Sequence, residues 1–248
     1  MLTDSIAGLP NSGSNDIVDG VEGSLNVRPG SDEFAHLCKS LDSRHVAYRC
    51  VKRVVDLTVS SLVIIVGFIP CLVLSILIAF DTKGCPLYSQ VRVGRGGKAF
   101  RIYKFRSMIA DSDNVEKYLS PSQLKQWETE RKVDDDPRIT RLGRIIRKLS
   151  IDELPQFVNV FLGQISIIGP RAITFDELEH YGSDASVLLS VPQGISGAWQ
   201  CGPRNLATFE NGMRQKIELD YARHSSLARD FRLFVKTFSV MLVERTGK

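Results

Sequence analysis

Leu57 to Phe80 reads "LTVSSLVIIVGFIPCLVLSILIAF", 24 residues without a single charge. As a straight helix rising about 1.5 Å per residue it is about 36 Å long, enough to cross a hydrocarbon core of about 30 Å. Its length, its distance from the first residue and the lack of a small-residue cleavage site after it argue against a secretion signal. Pro70 sits near the middle, where it deletes a helix hydrogen bond and crowds the preceding turn. The pieces on either side are roughly 20 Å and 16 Å long, each too short to cross alone. Both flanks are basic: Arg49, Lys52 and Arg53 precede the run, and Lys83, Arg92, Arg95 and Lys98 follow it. A positive-inside bias then holds both ends in the cytoplasm. The favoured reading is a re-entrant hairpin kinked at Pro70. A kinked transmembrane helix is the alternative, because neighbouring groups can satisfy the backbone that a proline frees.

Working outward, the chain divides into three parts. Residues 1–45, rich in Gly, Ser, Asn and Asp, read as a flexible polar tail with too few large apolar side chains to offset its ordering entropy. Residues 46–82 hold the hairpin and its flanks, and residues 83–248 form a cytoplasmic domain. Hydrophobic residues make up 43% of the 248, enough for a real core. The net charge of +4 is a mild bias toward anionic partners. Five scattered cysteines without a C-x-x-C pair argue against a disulfide framework or zinc site, and fit a reducing compartment.

The domain reads as α-rich mixed α/β. "PLYSQVRVG" and "AFRIYKFRSM" alternate as short strands joined around Gly94, Gly96 and Gly97. Ser120-Pro121-Ser122-Gln123 has the form of a capping box opening a helix. Asp136-Pro137 is expected to open another, whose apolar face is Leu142, Ile145, Ile146 and Leu149 and whose polar side is Arg138, Arg141, Arg144, Arg147 and Lys148. Such a basic amphipathic helix suits an anionic membrane surface, though an ordinary solvated face reads the same way. Leu227, Phe231, Phe234, Val235, Phe238, Met241 and Leu242 recur at helical spacing near the C-terminus, as core or as a second interfacial helix.

Candidate chemistry centres on "RKLSIDELPQF", Arg147 to Phe157. Asp152 and Glu153 are adjacent carboxylates behind a run of arginines. An aspartate can attack phosphorus, a neighbouring glutamate can hold a divalent metal or take a proton, and arginines can neutralise phosphoryl charge. Ser150-Ile151-Asp152-Glu153 also has the form of a capping box, a purely structural reading. "SIIGPRA", Ser166 to Ala172, is an apolar strand ending in Gly-Pro-Arg, where Arg171 could grip a phosphate bidentately or merely sit in a turn. Lys98, Arg101, Lys104 and Arg106 interleave with Phe100, Tyr103 and Phe105, which fits either a single-stranded nucleic-acid surface or a half-buried strand with a basic face.

Taken in order, "KRVVD" with the Pro-broken hairpin, "VRVGRGGKAFRIYKFRSM", "DDPRITRLGRIIRKLSIDELPQFVNVFLGQISIIGPR" and "GISGAWQCGPRN" make the chain resemble the monotopic phosphoglycosyl transferases. This is the bacterial sugar transferase family that initiates exopolysaccharide assembly. The resemblance covers Lys52 to the C-terminus. It implies a compact membrane-associated α/β domain anchored by a re-entrant helix and interfacial helices at the cytoplasmic face of the bacterial inner membrane. It implies that an Asp attacks the β-phosphate of a UDP-sugar, releases UMP, and passes the phosphosugar to polyprenyl (undecaprenyl) phosphate.

By position in the motif, Asp152 is then the nucleophile, and Glu153 serves Mg2+ and the incoming lipid phosphate, with Asp152 beside the metal. Lys104, Arg106, Arg138, Arg147 and Arg171 are the phosphate and substrate contacts, and Pro70 is the membrane kink. Membrane lipids are implied partners and nucleic acid is not; homo-oligomer formation stays open. The layout and "DELEHYG" after Gly-Pro-Arg are similar to the short members that transfer galactose phosphate, so UDP-galactose leads and UDP-glucose follows. Ile69 stands where family hairpins carry Ser, Ala172 where a Pro is usual, and "VPQGISG" and "CGPRN" depart from the common patterns. Those departures leave one alternative, a non-catalytic membrane-bound interaction protein of a polysaccharide assembly system.

Overall fold

The computed structural model describes residues 27–130, 133, 135–202 and 206–243. The polar reading of residues 1–26, the variation around Pro203, and the side chains of Met241 and Leu242 lie outside the described residues. Helices dominate, and the described residues carry two separate two-stranded sheets.

The polar tail does not extend to residue 45. Asp32–Ser40 form helix α1, because Ser31 Oγ accepts the Phe34 N–H at 3.1 Å and Asp32 and Glu33 complement the first turn. Phe34 and Cys38, one turn apart, enter a core cluster with Val93, Ile173, Leu188 and Leu189. Two well-placed apolar side chains suffice to dock a short helix, which average composition over the segment conceals.

Helix α2 spans Val46–Thr82, and helical backbone runs on through Pro70. Its two ends are docked differently. At the first, Tyr48, Lys52, Asp56 and Ser60 form a buried polar stripe at i, i+4 spacing. Lys52 Nζ donates to Ile168 O at 2.8 Å and to Asp230 Oδ2 at 2.7 Å, and Asp56 Oδ1 accepts from Ser166 Oγ and Ile167 N, both at 3.0 Å. At the second end, Ile78 is fully buried against Phe105 and Ile146, with Cys71 and Leu74 beside it. Between them the helix is bare: Ile65, Val66, Phe68 and Ile69 are all more than 60% exposed. Burying each such side chain is worth about 1.5–3 kcal/mol, so this stretch belongs in an apolar phase. It is long and apolar enough to cross a membrane.

Strands β1 (Leu87–Val93) and β2 (Ala99–Phe105) pair antiparallel, as their alternation predicts, and turn through Arg95–Gly97. After the short helix α3 (Val115–Tyr118), α4 (Pro121–Glu130) opens on the expected box, with Ser120 N–H donating to Gln123 Oε1 and Gln123 N–H to Ser120 Oγ. Helix α5 is Arg141–Lys148 and does not begin at Asp136-Pro137. Thr140 Oγ1 caps it by accepting from Gly143 N at 2.8 Å, while Asp136 turns to Arg138. A Cβ on Gly143 would lie 1.9 Å from Ser107 O, so this glycine lets α5 press against the loop after β2.

Helix α6 (Gln156–Phe161) leads to β3 (Ser166–Ile168), and α7 (Phe175–Glu179) and α8 (Ala185–Leu188) lead to β4 (Gly194–Ser196), which pairs parallel with β3. Gly169 and Gly194 meet backbone to backbone: a Cβ on Gly194 would lie 2.1 Å from Gly169 N. That approach fixes the position of the Gly-Pro-Arg turn. Helices α9 (Met213–Arg223) and α10 (Leu227–Val243) close the chain. Leu233 and Phe234 of α10 pack on the β3 core, whereas Phe231, Val235 and Phe238 face outward.

Candidate active site

Asp152 and Glu153 lie on a 3-10 turn, Ile151–Glu153, between α5 and α6. The capping-box reading of Ser150 fails here. Ser150 adopts a left-handed conformation, φ 55°, and its side chain makes no cap hydrogen bond.

The turn is fixed from two directions. Asn159, one turn into α6, is fully buried. Its Oδ1 accepts from Tyr103 N at 3.1 Å and its Nδ2 donates to Arg101 O at 2.7 Å, locking α6 to β2. Ile102 and Lys104, alternate residues on β2, then face the turn. The result is a cleft lined by Arg92, Ile102, Lys104, Glu153, Gln156, Arg171, Ala172, Gly194 and Ile195. Lys104 Nζ donates to Glu153 Oε1 at 2.9 Å, and Arg171 Nη1 lies 4.0 Å from the same oxygen. The backbone N–H of Arg171 donates to Glu218 Oε1 at 3.0 Å, and the Tyr181 hydroxyl donates to the other oxygen of Glu218.

Asp152 sits half-buried beside this cleft rather than among its lining side chains. Burial pushes its carboxyl above the usual carboxylate range, and the negative charge of Glu153 adds to the shift; Lys104 and Arg147 oppose it. Arg147 is steered by Ser107, whose Oγ accepts from its Nε at 2.7 Å. Raised carboxyl pKa values next to a charged cleft are a mark of functional sites.

The structure thus brings together Lys104, Arg147, Asp152, Glu153 and Arg171. It sends two other candidates elsewhere. Arg138 is 2% exposed and forked onto Asp136, with Nη1 on Ser112 O and its guanidinium over Trp127. Arg106 donates to Cys85 O and Ala110 O on the outer surface. Arg92 and Gln156 line the cleft without having been singled out from sequence. Gln156 was within reach of such reasoning, since it follows Glu153 at helical i, i+3 spacing. In the sequence Arg92 stands out only as a flanking charge of the apolar run.

Residues 47–244 match the family model described as bacterial sugar transferase. The chain belongs to the bacterial sugar transferase family. It is 40% identical over 197 residues to the UDP-galactose-lipid carrier transferase of Erwinia amylovora, covering 78% of this chain and 41% of that protein. It is 39% identical over 197 residues to the undecaprenyl-phosphate galactose phosphotransferase of Salmonella typhimurium, with the same 78% and 41% coverage. The exopolysaccharide production protein ExoY of Rhizobium meliloti is 34% identical over 197 residues, 78% of this chain and 86% of that protein. The chain therefore spans about two fifths of the first two relatives and most of the third. Every residue of the cleft falls inside the stretch that defines this bacterial sugar transferase.

Proposed function

We propose that this chain is an enzyme that transfers a hexose 1-phosphate, galactose foremost, from a UDP-sugar to undecaprenyl phosphate at the cytoplasmic face of the bacterial inner membrane. One observation carries the reading: the segment bearing Asp152 and Glu153 is anchored in two apolar clusters, one fed by each half of the apolar helix. Val59, before the bare stretch, and Phe157 both pack on the cluster that holds Val160, while Cys71 and Leu74, beyond Pro70, and Ile151 and Leu154 all pack on the cluster of Ile78, Phe105 and Ile146. Both halves feeding the clusters around one segment support a re-entrant course with its bend at Pro70. They also support a position of the carboxylates at the lipid–water boundary, where a soluble sugar nucleotide and a lipid phosphate can meet without carrying charge into hydrocarbon. The outward Phe231, Val235 and Phe238 of α10, alternating with Arg232 and Lys236, support a second interfacial contact. The names of the Erwinia and Salmonella relatives support galactose.

In this reading a carboxylate oxygen of Asp152 attacks the β-phosphorus of the UDP-sugar. The P–O bond to the bridging oxygen breaks, and UMP departs with the electron pair. Lys104 and Arg171 offset charge on the phosphoryl oxygens, and Arg147 helps keep Asp152 ionised. An oxygen of undecaprenyl phosphate then attacks the same phosphorus and displaces Asp152, leaving a polyprenyl diphosphate sugar. Among the described residues no three His, Cys, Asp or Glu side chains group around one point. The Asp152–Glu153 pair fits an ion such as magnesium, which is commonly held by one or two carboxylates plus substrate phosphates. Bound there, it would neutralise charge on the diphosphate.

Detergent-purified chain with UDP-galactose, undecaprenyl phosphate and Mg2+ is expected to release UMP. Without acceptor, intact-protein mass spectrometry should find hexose phosphate on Asp152. Silence with every UDP-sugar tried would overturn the reading. Single cysteines at positions 45 and 85, in a chain otherwise free of cysteine, should both resist an impermeant reagent applied to intact cells. Labelling of one alone would rule out the re-entrant course.

A further inference from the structure

We infer that Gln156 is a substrate-contacting residue, its carboxamide donating to a non-bridging oxygen of the phosphoryl group under attack. The inference rests on the proposed function above and extends it to a residue that the carboxylate and cation chemistry leaves unused.

Gln156 is 3% exposed, and its side chain lines the cleft beside Lys104, Glu153 and Arg171. Each cation in that cleft has an acidic neighbour: Lys104 and Arg171 have Glu153, and Arg92 has Glu177 at 2.8 Å. Gln156 differs. Among the described residues its carboxamide has no hydrogen-bond partner, although Asn159 in the same helix is saturated by three. Its polar atoms are not among those sealed from solvent, so the amide opens onto the cleft that the residue lines. An amide without a protein partner at the wall of a cleft is available to a group that arrives there.

The chemistry of the neighbours names the arrival. Lys104 and Arg171 share the single carboxylate of Glu153, which leaves both with donors to spare for a phosphate oxygen. Gln156 is also one helical turn from Asp152 and Glu153, so the anionic group it meets is the one their segment handles. A neutral N–H donor adds directional stabilisation where phosphoryl charge redistributes, without raising the pKa-lowering field on Asp152. Its other amide atom, the carbonyl oxygen, can accept from a sugar or water hydroxyl at the same centre.

The deciding experiment compares Gln156→Met, which keeps bulk and loses both polar atoms, with Gln156→Glu, which keeps shape and adds a negative charge. UMP release is measured as kcat and KM. UDP-sugar binding is measured by titration in an Asp152→Asn background, where no covalent step intervenes. Gln156→Met should lower kcat by about 10²-fold, the scale of losing one preorganised donor, with an unchanged melting temperature. Gln156→Glu should lower kcat further and weaken donor binding at least tenfold. Wild-type kcat in the Met variant, or wild-type donor binding in the Glu variant, would overturn the inference. A loss of activity that merely tracks a lowered melting temperature in both variants would do the same. If the wild type binds UDP-sugar but releases no UMP, the catalytic reading fails by itself, and the binding arm still judges Gln156.

Discussion

Asp136 and Asp152 flank the same arginine-rich helix, yet the fold treats them in opposite ways. Asp136 is closed. Both its oxygens are forked by Arg138, at 2.9 and 2.6 Å, and the two side chains are 4% and 2% exposed. Against the upward push of burial, that guanidinium holds its carboxyl below the usual carboxylate range. Asp152 is open. Arg147 and Lys104 act on it through space, while their own hydrogen bonds go to Ser107 and Glu153. Its carboxyl is displaced upward. An aspartate whose oxygens are saturated by a guanidinium is a brace; one that feels cations without being locked by them keeps a lone pair available, which the proposed attack on phosphorus requires.

That contrast is tested most severely by paired amides. Asp152→Asn should lower UMP release by about 10⁴-fold or more, the scale seen when a nucleophile is removed from a working set. The same change should raise the melting temperature at neutral pH. A carboxyl with a raised folded pKa penalises the folded state at pH above that pKa, and the penalty disappears below its unfolded value, about 3.9. The gain should therefore fade as the pH falls toward 4. Asp136→Asn should do the reverse. It leaves Arg138 buried without its counter-charge, a loss of about 3 kcal/mol, or roughly 6–12 °C in melting temperature. UMP release per folded molecule should stay within about threefold of wild type, since no cleft residue is touched. If Asp136→Asn silenced the folded enzyme, the division between brace and nucleophile would be wrong.

The pH dependence separates the two aspartates again. In the proposed reaction Asp152 acts ionised, so the acid limb of kcat/KM should lie above the ordinary carboxylate range. Asp136 contributes stability that is intact above its unfolded pKa of about 3.9 and is lost as the pH drops through its lower folded value. Activity should therefore fail at a higher pH than the fold does. Coincident loss, followed by UMP release and by thermal melting across pH 3 to 7, would show that one unfolding event explains both.

The sequence was informative where the signal is local. Alternation predicted β1 and β2, the uncharged run predicted the bare middle of α2, and adjacency of Asp152 and Glu153 with the motif order pointed to the candidate site. It was silent where a long-range partner decides. Nothing in "DDPRITR" tells Asp136, as a helix opener, from Asp136 as the clamp of Arg138; the fork exists because the backbone folds back on itself within two residues. Lys104 and Arg106 look like one basic strand in sequence, but β2 ends at Phe105: Lys104 stays on the strand that Asn159 ties to α6, and Arg106, just past it, turns to the carbonyls of Cys85 and Ala110. The polar stripe of α2 was hidden for the same reason. Lys52 and Asp56 look like a flank of the apolar run until Asp230 and Ser166, far along the chain, come to meet them.

The smallest predicted effect probes how Asp152 stays open. Ser107 Oγ takes the Nε of Arg147, and the backbone of Ser107 is the surface that Gly143 lets α5 approach. Ser107→Ala removes the hydroxyl but not the arginine. One hydrogen bond to a charged group is worth about 1.5–3 kcal/mol, but Arg147 is a surface side chain with water at hand, so the lower end applies. The charge remains near Asp152 with a wider range of positions. A fall in kcat/KM of about 3- to 10-fold follows, with the acid limb moving slightly upward because Asp152 loses part of the field that opposes its raised pKa. Were Arg147 freed from Ser107 instead to fork onto Asp152, as Arg138 does onto Asp136, the acid limb would move downward while turnover fell. That outcome would mean that Ser107 keeps the reactive aspartate from becoming a second brace.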